Sequence, residues 1–237
     1  AMASDLGQAL GEADHFEHVL DITRRWANDH KFRIGIQVLR GKTDGIAAGP
    51  ALTAVAETVI RVLCPYVEEE FAIRHGRIEC SGMCAVAYGK LGGRELMHGS
   101  DLDLVFLYDH PESAKQSDGP KPLVPSVYFM RLAQRIISAI SAPTGEGKLY
   151  DIDLRLRPSG NKGPVAVRVD GYFDYLKDSA WTWEHMALTR ARPISGLASL
   201  QERIRSDIDK TLSRDREDSK LLTDVHQMRQ RMAGEHR

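Results

Sequence analysis

Asp101 and Asp103 are the residues from which chemistry is most readily argued. They open the run Asp101-Leu102-Asp103-Leu104-Val105-Phe106-Leu107-Tyr108, whose remainder is apolar on both faces and reads as a central, buried strand. Side chains of a strand alternate between faces, so the two carboxylates point the same way with one residue between them. Two such charges about 4 Å apart repel by roughly 4 kcal/mol when the effective dielectric is near ~20. A hard divalent cation removes that cost and is itself held by oxygen ligands. The pair therefore predicts a Mg²⁺ site.

The elements around the pair supply the rest of a phosphate chemistry. Cys84 to Tyr88 reads as an apolar strand, and Gly89-Lys90-Leu91-Gly92-Gly93 as a glycine turn before a short polar helical segment. Glycines let backbone amides approach an anion closely, and free N–H groups at a helix start bind phosphate. Lys90 adds a point charge. Downstream, Leu149 to Pro158 alternates, so an extended strand is expected with Asp151, Asp153, Arg155 and Arg157 on one face and Ile152, Leu154 and Leu156 on the other. Beside the first acidic strand, either Asp153 or Asp151 completes a three-carboxylate cluster. Such a cluster holds two Mg²⁺ ions about 3.5–4 Å apart. Carboxylates for metal, glycines for triphosphate and arginines for developing charge, Arg155 among them, are the parts of phosphoryl or nucleotidyl transfer.

Strand, glycine turn, spacer and Asp-x-Asp on the next strand resemble the DNA polymerase β-like nucleotidyltransferase superfamily. Gly89-Lys90-Leu91-Gly92-Gly93-Arg94-Glu95-Leu96 followed by Ser100-Asp101-Leu102-Asp103-Leu104 resembles the glutamine synthetase adenylyltransferase family more closely. So do the blocks Tyr150 to Gly160 and Ala180 to Arg192. That family is bifunctional, with two similar halves that add AMP to a tyrosine of glutamine synthetase or remove it by phosphorolysis. Leu156-Arg157-Pro158-Ser159-Gly160 and Trp181-Thr182-Trp183-Glu184-His185 resemble the C-terminal, adenylylating half. The resemblance implies an α+β, polymerase β-like core, with a small mixed sheet and flanking helices. It implies Mg²⁺-dependent transfer of AMP from ATP in the regulation of nitrogen assimilation. By the same resemblance Asp101, Asp103 and Asp153 are the catalytic metal ligands, and Gly89, Lys90, Gly92, Gly93, Ser100 and Arg155 serve ATP. Glutamine synthetase is the implied protein substrate, under control of a PII-type signal protein acting mostly through other parts of a longer chain. One departure stands out: Lys90 occupies the place where the wider superfamily commonly has serine, which leaves Ser100 as the hydroxyl for phosphate.

The 237 residues suffice for one substantial domain with helical extensions. The division expected is a helical lead-in over 1–77, the nucleotidyltransferase core over 78–170 and a helical extension over 171–237. A net charge of −1 lacks the basic surplus of a nucleic-acid binder. That counts against a polymerase or tRNA nucleotidyltransferase. No apolar run approaching a membrane span and no signal peptide is read, so a cytoplasmic protein is expected. Three cysteines form no even disulfide set. Ala1-Met2-Ala3 reads as a cloning remnant, and the chain stops inside a helical pattern over Leu221 to Met232, which predicts a fragment of a longer polypeptide.

Phe16, Val19, Leu20, Trp26, Phe32, Ile36 and Leu39 predict one or two amphipathic helices over 13–40, and Asp44 to Pro50 a break. A helix over 51–74 carries Leu52, Val55, Val59, Leu63, Val67 and Phe71 inward, bent at Pro65. Another is expected near 125–141, and a short strand over Val165 to Val169. Some residues have plainer readings. Arg155 or Arg157 can pair with a carboxylate of its own strand, Trp181 and Trp183 are core or helix-packing residues, and Glu184 anchors Arg190 or Arg192 structurally, with orienting the acceptor tyrosine as its other role. His98 fills a polar loop, and the charged run Asp207 to Asp218 is a solvated face and loop. Cys80 and Cys84 lack the spacing of a zinc knuckle. A regulatory module that binds nucleotide or partner without turnover is the rival from outside the enzymes.

Overall fold

The computed structural model describes residues 2–215 and 218–235. Ala1 of the leading tripeptide and Arg216 and Glu217 of the charged run lie outside the described residues. Three helices lead in: α1 (Met2–Leu10), α2 (Phe16–Leu39) and α3 (Gly49–His75). Strand β1 (Gly82–Ala87), the single-turn α4 (Gly89–Gly92) and β2 (Leu102–Asp109) follow, then α5 (Pro125–Ser141). After β3 (Ile152–Asp153) and β4 (Ala166–Arg168) come α6 (Val169–Asp178), α7 (Thr182–Leu188), β5 (Arg192–Pro193), α8 (Ala198–Leu212) and α9 (Asp218–Glu235).

β2 is the spine of the sheet. It pairs antiparallel with β1, which in turn pairs antiparallel with β5. On its other edge β2 carries two short parallel partners, β3 at its start and β4 near its end. The alternation of β1 and β2 sorts side chains into two cores. Met83, Ala85, Ala87, Leu102, Leu104 and Phe106 face α1, α2, α3 and α5. Cys84, Val86, Tyr88, Val105 and Leu107 face α6 and α8 through Val169, Tyr172, Leu176, Ile204 and Ile208. Each large apolar side chain so enclosed contributes about 1.5–3 kcal/mol. Covered on both faces, β2 holds its first residues in place as a rigid element.

α3 buries the stripe Leu52, Val55, Val59, Leu63, Val67 and Phe71, and runs on through Pro65. By length and composition it could cross a membrane, contrary to the reading of the sequence, but most of that stretch is enclosed by protein. It ends at Gly76, whose φ of 70° admits glycine readily and whose N–H donates to the Ala72 carbonyl at 2.8 Å.

α2 departs from its periodic pattern, because Phe32 and Leu39 lie on the outer surface. Its Arg24 is fully enclosed. It donates to the carbonyls of Leu20, Ala139, Ala142 and Gly147 at 2.6–3.0 Å. A guanidinium with its donors satisfied by a helix C-terminus is a sound buried charge. Here it ties α5 to the loop that feeds β3. The structure thus positions the third carboxylate through a residue the periodic reading passed over.

Candidate active site

The carboxylates gather at one end of the sheet. β2 and β3 run parallel with Asp103 opposite Asp153 and Leu102 opposite Ile152. The Leu102 N–H donates to the Asp151 carbonyl at 2.9 Å. Of the two alternatives downstream, Asp153 is therefore the neighbour of Asp103. Asp151 is exposed and its carboxylate pairs with Lys148. Asp101 immediately precedes β2 and is exposed.

Gly89 sits against the same corner with φ 50°. A Cβ there would lie 2.2 Å from Asp103 Oδ2, so glycine is required both for its conformation and for space. The Tyr88 N–H donates to the Asp103 carbonyl at 2.9 Å, clamping the turn to the acidic strand. The first N–H groups of α4, at Gly89, Lys90 and Leu91, precede its internal ladder. Lys90 is exposed, and its charge acts on Asp103. Gly92 serves packing: a Cβ would meet the Arg190 carbonyl at 2.1 Å. A Cβ on Gly93 would crowd the Arg190 guanidinium at 3.2 Å.

The back of the turn is held by residues that local pattern did not single out for this purpose. Arg192 donates to the Gly92 carbonyl at 2.7 Å and the Leu91 carbonyl at 3.0 Å, and pairs with Glu57 of α3. Arg190 pairs with Glu95 at 2.7 Å. The expected Glu184 partnership with Arg190 or Arg192 is therefore replaced. Glu184 instead accepts from the Trp181 N–H at 2.9 Å and the Tyr175 hydroxyl at 2.8 Å, capping α7 from within a buried network.

Beyond Asp153 the expected long strand ends at once. The Asp153 Oδ1 accepts the Arg155 N–H at 2.8 Å, an Asx turn that bends the chain away. The shared charged face expected over Asp151 to Arg157 therefore never forms. Arg155 folds back onto Asp153, its Nε reaching the two carboxylate oxygens at 2.8 and 3.0 Å. Arg157 is buried and stitches the following loop, donating to the carbonyls of Leu154, Asn161 and Gly163 at 2.8–3.3 Å. An open cleft here is lined by Asp101, Asp153, Arg155, Arg157 and Asn161.

Ser100 lies elsewhere in the corner. Its hydroxyl accepts the Met97 N–H at 3.1 Å, and it lines a separate cavity of about 200 Å³ with Lys31, His98, Lys148 and Tyr150. Trp181 and Trp183 are 71% and 42% exposed, so they do not enter the core. They border a groove with Asp224 and Met228 of α9.

The electrostatics set the paired aspartates apart. Burial, then the charges of Asp101 and Asp153, pushes the Asp103 carboxyl above its usual range. Hydrogen bonding to Arg155 holds Asp153 below it. Among the described residues no three potential ligands converge closely enough to hold a metal ion as they stand. The donor set nonetheless fits a hard cation: three carboxylates, no sulfur or imidazole, and an excess of negative charge on a half-buried Asp103.

Mixed sheet, enclosing helices and a glycine turn against an Asp-x-Asp strand define the class, an α+β fold of the nucleotidyltransferase kind. The family described as glutamate-ammonia ligase adenylyltransferase matches residues 1–207. The chain is 50% identical over 226 residues to the bifunctional glutamine synthetase adenylyltransferase/adenylyl-removing enzyme of Brucella suis, covering 95% of this chain and 23% of that protein. Relatives of the same description in Mesorhizobium japonicum (48%, 90% of this chain, 22% of theirs) and Bradyrhizobium sp. (42%, 99% and 24%) match as well. The chain belongs to the glutamate-ammonia ligase adenylyltransferase family. It spans about a quarter of the length of these relatives.

Proposed function

We propose that this chain carries the adenylylating site of its family, transferring AMP from ATP to a tyrosine of glutamine synthetase in the cytoplasm. The observation that carries the reading is the pairing of Asp103 with Asp153 across parallel strands, directly against Gly89. Asp101, Asp103 and Asp153 are the residues that would hold Mg²⁺, two ions by the number of carboxylates. Bound there, Mg²⁺ supplies charge neutralisation at the phosphates and acidifies the acceptor phenol.

The chain's own residues supply the rest. Amides of Gly89 to Leu91 and the Lys90 ammonium orient the triphosphate, with Gly92 and Gly93 letting the turn close and Ser100 at its margin. The phenolic oxygen forms a bond to the α-phosphorus as the bond to the bridging oxygen of the β-phosphate breaks, and pyrophosphate leaves. Asp153 accepts the phenolic proton through a hydrogen bond once its guanidinium partner has moved. The family relationship supports glutamine synthetase as acceptor, and a PII-type signal protein is proposed as regulator through the remainder of a longer chain. The test is mass spectrometry of glutamine synthetase incubated with this protein, ATP and Mg²⁺. A gain of one adenylyl mass on a tyrosine peptide, absent with Asp103→Asn, is the expected result.

A second reading is favoured by the relatives' own description, which pairs adenylyl transfer with adenylyl removal. The same carboxylates and turn would serve phosphate attacking AMP–tyrosine to release ADP. Incubation with adenylylated substrate and phosphate separates the two, since ADP forms only by the second route. ATP binding without either product would leave a non-catalytic binding module.

A further inference from the structure

Arg155 stands where a cation belongs. Its guanidinium spans both oxygens of Asp153 at 2.8 and 3.0 Å, and the fields of Asp101 and Asp103 act on it as well. The Asp153 side chain is only 12% exposed, whereas that of Arg155 is 72% exposed. The carboxylate is thus set in the wall and the arginine is its exposed partner, at the edge of the cleft. Arg157, two residues on, could not take this part, because its donors are consumed by three backbone carbonyls. Lys148 is likewise spent on Asp151.

We infer that Arg155 is an internal counter-cation of the carboxylate cluster, a gate that a divalent ion must displace from Asp153 before the three carboxylates can converge. The inference rests on the metal-site reading above and adds a device to it. A bidentate guanidinium–carboxylate fork is among the stronger charge-assisted contacts. Asp153 already accepts the Arg155 N–H and its guanidinium on both oxygens, so a metal ion binding there competes with Arg155 for the same lone pairs. The fork matches the Asp153 charge, which holds down the repulsion of a crowded acidic corner. With metal, the released guanidinium, on its long solvated stem, is free to face an anion entering the cleft. The gate therefore couples cation entry to the exposure of a positive charge at the site.

The test reads metal binding alone, without nucleotide or turnover. Free Mn²⁺ is counted by electron paramagnetic resonance during titration of the wild-type protein and the Arg155→Gln, Arg155→Lys and Asp103→Asn variants, each checked for native circular dichroism. Arg155→Gln is expected to tighten Mn²⁺ by about tenfold, the effect of removing one charge-assisted competitor. Arg155→Lys, which keeps the charge but not the fork, falls between the two. Unchanged or weaker Mn²⁺ binding in Arg155→Gln overturns the gate, whether or not ATP affinity falls. The metal-site reading fails separately, if Asp103→Asn binds Mn²⁺ as the wild type does.

Discussion

Replacing Asp103 by Asn should abolish AMP transfer and at the same time stabilise the protein. The substitution keeps shape and removes one negative charge from a corner holding three. Adjacent strands lie ~4.8 Å apart, so carboxylates on paired residues about 5 Å apart repel by roughly 3 kcal/mol at an effective dielectric near ~20. Arg155 cancels much of the Asp153 charge, and solvent screens the exposed Asp101. A net gain of about 1 kcal/mol remains, or ~2–4 °C in Tm for a chain of this size. The gain depends on pH in a definite direction. Burial and neighbouring carboxylates raise the Asp103 pKa in the folded state. The native state then holds its proton longer than the unfolded one, so the stability contributed is present below the ordinary value of ~3.9 and lost as pH rises through the raised value. At neutral pH the wild type bears this cost and the Asp103→Asn variant does not; well below the ordinary carboxylate range the two proteins converge. Urea melts at pH 7 and in acid, without divalent ions, measure both limits. A variant less stable at pH 7, or equally favoured in acid, refutes the electrostatic reasoning.

Gly89→Ala should destabilise the fold by about 2 kcal/mol or more, from the left-handed φ and the collision with Asp103, and should extinguish transfer. In an Asp103→Ala background the cost should drop to about 1 kcal/mol, that of φ alone, in the same denaturation assay. Glu184→Ala removes the acceptor of two buried hydrogen bonds, and about 2 kcal/mol should be lost, with Mn²⁺ affinity unchanged. Arg24→Met removes the guanidinium donor from four backbone carbonyls, of which Gly147 keeps the Thr144 N–H; urea melts should show a loss of about 3 kcal/mol.

Reading by period and punctuation served best where neighbours in sequence supply the structure. Pro125 opens α5 and its Tyr128, Leu132, Ile136 and Ile140 form the inner face, as the spacing predicts. β2 is apolar on both faces because both faces are covered. Period misled over Asp151 to Arg157. Alternation there is compatible with a strand, but one side chain, Asp153, accepts the N–H two residues on and diverts the chain. The tryptophans show a related limit: large apolar surface admits core burial or helix packing, and here they lie on the rim of a groove beside α9. Phe32 and Leu39 are the same lesson on α2.

What the sequence alone determined is the order of parts: an apolar strand, a glycine turn, two carboxylates one residue apart, and a third acidic segment downstream. These are properties of adjacent residues, set by side-chain alternation and by the conformations glycine permits. Which downstream aspartate meets Asp103, and that Arg155 pairs with that aspartate, was settled only by folding. Pairing register depends on how α5 and its following loop deliver β3 to the edge of β2, through contacts such as those of Arg24 that link residues more than a hundred positions apart. Distances of that kind are fixed by packing, which no local pattern encodes.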